Sequence, residues 1–212
     1  ILFQKDFSTS MLMMALSFVM LYVGGAKFIH LLVAFFASIP VILPFVLTSG
    51  YRMQRIKMLL NLEEDPSSSY QLFQSLEAFR RGGFLGEGLG RGIKNVPYAF
   101  NDFVFAVAGE ETGFVGGLLV LFLFFFLWQR GMILSRSFPE KSFESHLAFG
   151  LSFMLVFQAL LNMAVSLAMV FPTGITMPLV SFGRTSFLVS SAAFGILIQL
   201  SLKKQKGPGF TG

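Results

Sequence analysis

Charge-free apolar stretches alternate along this chain with polar connections, one of them long. A membrane-spanning helix needs about 20 mostly apolar residues to cross roughly 30 Å of hydrocarbon, and five stretches approach that length. They run from about Ser8 to Ala26, Phe28 to Ser49, Gly113 to Trp128, Leu147 to Phe171 and Thr185 to Leu202. Pro40 and Pro44 predict a kink in the second. The third is short, but the apolar run Phe103–Gly109 extends it outward past Glu110 and Glu111. The fourth carries Gln158 and Asn162 inside it. The pattern predicts an all-α integral membrane protein of about five transmembrane helices. It forms a single transmembrane domain over residues 1–212, with a large extracytoplasmic loop over residues 50–112.

Composition agrees and excludes a soluble globular domain. Hydrophobic residues make up 54% of the chain and charged residues 13%, against roughly a quarter charged in soluble domains. Mean hydropathy is +0.72. No cysteine is present, so disulfides, thiolate nucleophiles and zinc-thiolate sites are ruled out. The net charge of +5 suits nucleic acid or an anionic membrane, and its distribution favours the membrane, with no nucleic-acid partner expected. The chain opens on Ile1 with nothing resembling a signal peptide, which suggests an internal start within a longer protein.

Lys and Arg in short connections set the expected orientation. Lys203, Lys204 and Lys206 place the carboxy tail in the cytoplasm. Counting back puts the Trp128–His146 connection, with Arg130, Arg136 and Lys141, and the turn at Lys27 and His30 on the same side. Residues 50–112 and the connection Pro172–Arg184 then lie outside.

The long loop holds the candidate chemistry, since long ordered loops tend to be functional. After Asp65-Pro66 and Ser67–Ser69, Leu72, Phe73, Leu76 and Phe79 at helical spacing predict an amphipathic helix from about Tyr70 to Phe79. The run Gly82-Gly83-Phe84-Leu85-Gly86-Glu87-Gly88-Leu89-Gly90 allows close backbone approach, either to a phosphate or to another helix. Asp102 sits where the loop meets the apolar run Phe103–Ala108. It can cap the helix, or act as a general base whose pKa rises by desolvation. Glu110 and Glu111 form either a functional polar cluster at membrane depth or an architectural one paired with Arg or Lys from the loop. Arg52, Arg55, Lys57, Arg80, Arg81, Arg91, Lys94 and Arg184 offer cations suited to a diphosphate-bearing lipid headgroup, or a solvated face partnered by Glu63, Glu64 and Asp65. His30 and His146 flank helix ends with no carboxylate cluster beside them, so no metal site is expected there.

Taken in order, these segments resemble the SEDS family (shape, elongation, division and sporulation) over nearly the whole chain. Gln4-Lys5-Asp6-Phe7-Ser8-Thr9 is similar to its Q-P-D-[FL]-G-T segment. Tyr51-Arg52-Met53-Gln54-Arg55, Glu64-Asp65-Pro66, Tyr70-Gln71, Gln74-Ser75-Leu76 and the glycine run follow its large outer loop. Asp102–Val107, Gly109-Glu110-Glu111 and Gly113–Gly116 resemble its D-F-I-F-A-V-I-G-E-E-L-G-F-V-G block. Gln158, Asn162, Gly174, Pro178, Ser181, Gly183 and Ser186 fit its last outer loop. Gly25-Ala26-Lys27 and Thr176-Met177-Pro178-Leu179 favour the division-type, FtsW-like branch over the RodA-like branch. There are departures: Lys5 replaces a proline, Tyr98 and Phe100 replace the usual Glu and His before Asp102, and Arg184 replaces the second glycine of a Gly-Gly pair. Family members have ten spans, so the resemblance is to their second half.

The resemblance implies a peptidoglycan glycosyltransferase of cell division, working in the bacterial cytoplasmic (inner) membrane with its active face outside. Its substrate would be lipid II, polymerised into glycan strands. Asp102 would be the base, with Lys94, Arg52 and Arg55 contacting the diphosphate. A divalent cation could share that last task, although no site for one is visible. Implied partners are a class B penicillin-binding protein, other division proteins and membrane lipid. Two competing readings are a non-catalytic scaffold for a transpeptidase and a flippase for the lipid-linked precursor. The nearly charge-free spans weigh against the flippase.

Overall fold

The computed structural model describes residues 7–47, 66–91, 102–170 and 173–205. Within them all regular structure is helical: α1 (Phe7–Val23), α2 (Phe28–Leu47), α3 (Pro66–Gly82), α4 (Val104–Arg136), α5 (Phe143–Ser166) and α6 (Arg184–Gln205). Three of these, α4, α5 and α6, are long and apolar enough to cross a membrane, and α1 and α2 contain shorter apolar helical stretches. The chain is thus a multi-pass membrane protein.

Helix limits follow local chemistry. Gly25, at φ 97°, turns the chain between α1 and α2. The backbone of α2 stays helical through Pro40 and Pro44. Ser142 caps α5, its Oγ accepting from Ser145 N–H at 3.2 Å. The largest departure from the sequence pattern is α4, which starts well before Gly113 and continues to Arg136. Phe103–Gly109 does join it, and at the far end Arg130 stays on the helix, its guanidinium over the Phe126 ring at 4.9 Å. Long basic side chains lay their stems along apolar surface and carry the charge outward, so basic residues need not mark a connection.

Large side chains on α4 such as Leu119, Phe122 and Phe125 are exposed. In water so continuous an apolar surface would drive association, whereas in a bilayer it matches its solvent. Inside, small residues decide the packing. Gly131 of α4 lies so close to α5 that a Cβ there would fall 2.0 Å from Ser152 Oγ. Ala148, Ser152 and Ala159 of α5 are fully buried.

The helix ends sort into two groups. Lys203 on α6 pairs with Glu144 at the start of α5 at 2.9 Å, and Met20 near the end of α1 packs on Gly150 of α5. The turn at Lys27, the Ser137–Ser142 connection and the end of α6 therefore share one end of the bundle. Asp102, the end of α5 and the start of α6 share the other, with α3 packed against α4 and α5.

The face α3 buries corrects the sequence expectation. Phe73 is 62% and Leu76 37% exposed, while Leu72, Ser75 and Ala78 are fully buried. Leu72 keeps its expected place, but Ser75 and Ala78 take the rest of the face because α3 lies hard against the α4 backbone: a Cβ on Gly82 would meet Gly109 O at 2.1 Å. Ser75 Oγ donates to Ser166 O at 2.6 Å, tying α3 to the end of α5.

Candidate active site at one end of the bundle

Three carboxylates, those of Asp102, Glu110 and Glu111, and a glycine-rich strap dominate this end. At Gly113, with φ 68°, α4 breaks its helical geometry. A break of this kind strands carbonyls on one side and N–H groups on the other. The glycine run supplies partners for both. Glu87 and Gly88 donate to Glu110 O and Glu111 O, each at 3.0 Å, while Phe114 and Val115 donate to Gly83 O (3.0 Å) and Phe84 O (3.4 Å). Gly90 N–H completes the strap by donating to Glu111 Oε1 at 3.0 Å. Glycine is needed for contact as well as conformation: a Cβ on Gly86, at φ +82°, would lie 2.2 Å from Glu111 O. The run's amides are thus turned onto α4, which favours the helix-packing role over the phosphate cradle.

Glu110 is 1% exposed and lies 3.1 Å from Arg81 Nη2 of α3. Nε and Nη2 of Arg81 make no hydrogen bond among the described residues, so this contact is an ion pair. With Glu111 held by the strap, the acidic pair is architectural at the level of its contacts.

Asp102 is placed differently. Phe103, buried, occupies the cap position of α4 and offers no side-chain cap bond; Ala106 N–H and Val107 N–H bond to its carbonyl. The capping role therefore does not fall to Asp102, whose carboxylate meets no hydrogen-bond partner among the described residues. Its backbone is nevertheless fixed. Asn162, fully buried in α5, donates both amide hydrogens, to Asp102 O and to Ile175 O, each at 2.8 Å. One buried amide thus pins the start of α4 to the segment before α6. Gly174, at φ +67°, lies beside the carboxylate, its missing Cβ 3.9 Å from Asp102 Oδ2. Gln158 Nε2 holds Thr176 O at 3.1 Å, and Ser181 Oγ accepts from Met177 N–H at 2.7 Å. Partial burial raises the Asp102 pKa above its ordinary value through desolvation.

Asn162 and Gln158 were visible in the sequence as polar residues within an apolar span. A buried amide must find partners, but only the tertiary contact identifies Asp102 as one of them. Arg184 starts α6 and is exposed. Arg80 is exposed and faces Glu77 at 3.6 Å. Arg52, Arg55, Lys57, Lys94, Tyr98 and Phe100 lie outside the described residues, as does the Gln4–Asp6 segment. Among the described residues no three His, Cys, Asp or Glu side chains gather as a metal site.

Comparison with known proteins places this geometry. A family model described as cell cycle protein, covering FtsW, RodA and SpoVE, matches residues 1–206. The chain belongs to this family. A protein of Trichlorobacter lovleyi named probable peptidoglycan glycosyltransferase FtsW is 36% identical over 210 residues, covering 97% of this chain and 55% of the relative. One of the same name from Aliivibrio salmonicida is 38% identical over 206 residues, covering 94% of this chain and 52% of the relative. A solved structure described as "Structural coordination of polymerization and crosslinking by a peptidoglycan synthase complex" superposes with a TM-score of 0.74 at 27% identity. That match covers 96% of this chain and 57% of the solved one. The chain thus spans about half the length of the FtsW relatives it matches, and its resemblance to the SEDS family is borne out.

Proposed function

We propose that the intact protein is a peptidoglycan glycosyltransferase of the division type, polymerising lipid II at the outer face of the bacterial cytoplasmic membrane. The observation that carries this reading is the Asp102 carboxylate just before α4, half-buried and without a hydrogen-bond partner among the described residues, on a backbone fixed by Asn162. The names of the FtsW relatives support it. An acceptor sugar hydroxyl attacks the anomeric carbon of the donor, and Asp102 takes its proton. The glycosidic bond forms as the bond to undecaprenyl diphosphate breaks, and that diphosphate departs with the electron pair. A general base with a raised pKa suits proton removal from a weakly acidic hydroxyl. Arg52, Arg55 and Lys94 are assigned to the departing diphosphate, whose charge the planar forks of arginine match well.

The end of the bundle carrying Lys27, Lys203 and Lys204 is assigned to the cytoplasm by the excess of basic residues there. Five spans and an outer loop over residues 50–112 complete this topology. A class B penicillin-binding protein is the proposed crosslinking partner, a reading supported by the similarity to a synthase complex. The decisive experiment is polymerisation of labelled lipid II by the purified full-length protein, with and without that partner. Strand synthesis abolished by Asp102→Asn in a folded protein supports the enzyme reading. Absence of synthesis by the wild type with its partner present would favour the scaffold.

A further inference from the structure

At the end of the bundle opposite Asp102, α4 and α6 leave a groove of about 380 Å³ between them. Its walls are apolar, among them Leu127, Leu134, Phe194 and Leu197, while Arg130, Lys204 and the Ser201 hydroxyl line it as well. The basic residues here have different fates. Lys203 turns to α5 and is neutralised by Glu144 at 2.9 Å. Successive residues on a helix point about 100° apart, and Lys204 instead borders the groove. Among the described residues neither Arg130 nor Lys204 meets a carboxylate. Arg130 rests its guanidinium on the Phe126 ring, and among the described residues its N–H groups meet no other partner.

We propose that this groove binds an anionic glycerophospholipid of the leaflet at that end. The phosphodiester sits between Arg130 and Lys204, Ser201 Oγ donates to a phosphate oxygen, and an acyl chain lies along Leu127 and Leu197. Two cations at an apolar groove match a headgroup of net negative charge joined to hydrocarbon, as basic pockets between membrane helices do. A soluble anion would use the cations and leave the apolar walls empty. A zwitterionic lipid would cancel much of the attraction with its own ammonium.

The test uses the intact, full-length protein in detergent, titrated separately with phosphatidylglycerol and phosphatidylcholine of identical acyl chains and read by native mass spectrometry. Phosphatidylglycerol is expected to bind roughly tenfold more tightly, given two cations near a headgroup. The double variant Arg130→Gln/Lys204→Gln should bring the two lipids within about twofold of each other, whereas Lys203→Gln should leave the preference in place. If the double variant does not fold, Arg130→Lys/Lys204→Arg must keep the preference and Leu197→Trp, which fills the groove, must lose it. Equal losses from Lys203→Gln and the double variant would mean diffuse charge attraction and overturn the site. Absence of any preference in the wild type, as expected if another part of the intact protein covers the groove, would overturn it as well.

Discussion

Asp102 and Glu110 lie close together in sequence at the start of the same helix, and the structure treats them oppositely. Glu110 is the more deeply buried, yet Arg81 stands against its carboxylate and the strap amide of Glu87 takes up its carbonyl. Asp102 is less buried, and what is fixed is its backbone, through Asn162, while the carboxylate meets no hydrogen-bond partner among the described residues. Depth alone therefore does not separate a structural carboxylate from a chemical one. The useful distinction is whether the oxygens are already committed to partners. A committed carboxylate holds elements together, and an uncommitted one in a half-dry setting remains available to accept a proton.

The strongest way to break this contrast is Asp102→Asn in the intact protein. Loss of a general base costs about 10²–10⁴-fold in rate, so lipid II polymerisation should fall by that order while folding is retained. Stability has a definite sign here. Burial raises the Asp102 pKa, so the folded state holds the proton above the pH at which the unfolded chain releases it. The resulting stabilisation is complete below the ordinary carboxylate range and is lost as pH rises through the raised value. Near neutral pH, Asp102→Asn should therefore leave the thermal midpoint equal to or above that of wild type. Wild-type polymerisation should decline as pH falls through that same raised value. Activity within about threefold of wild type would remove the base assignment.

Arg81→Met tests the opposite member. It removes the cation that α3 places against buried Glu110, and because Arg81 is partly exposed the cost should lie near the low end for breaking a buried pair, about 3 kcal/mol. Thermal melting in detergent should show this loss, with polymerisation per folded molecule largely kept. A smaller loss is expected from Gly86→Ala, about 2 kcal/mol, from a positive φ and a Cβ driven into Glu111 O. If Gly86→Ala instead weakened substrate binding without destabilising the protein, the strap would be a ligand cradle after all. The smallest effect should be that of Ser75→Ala, about 1 kcal/mol for one hydrogen bond to Ser166 O.

Much of this was legible in one dimension because membrane-helix formation is governed by sequence-local quantities. Run length and charge placement disclosed the apolar helices, and the ordered motifs disclosed the family. Asp102 stood out as a lone carboxylate against an apolar run. Boundaries were less legible. The apolar block from Gly113 to Trp128 understates α4 at both ends, since Glu110 is neutralised from α3 and Arg130 lies along its own helix. The stripe on α3 was legible only in part: Leu72 is buried and Phe79 packs against the core, whereas Phe73 and Leu76, at the right spacing for a core, are exposed.

By itself, then, the sequence determined that this chain is helical, membrane-embedded and a member of its family, because hydropathy over about 20 residues and motif order survive without tertiary information. Only the tertiary structure decided which polar groups were already spent. It turned the glycine run onto the broken turn at Gly113, set Arg81 against Glu110, and joined Asn162 to the carbonyl of Asp102 across sixty positions of chain. Hydrogen bonds and ion pairs act over a few ångströms between residues far apart in sequence, so the spacing of residue types could present those alternatives but could not choose among them.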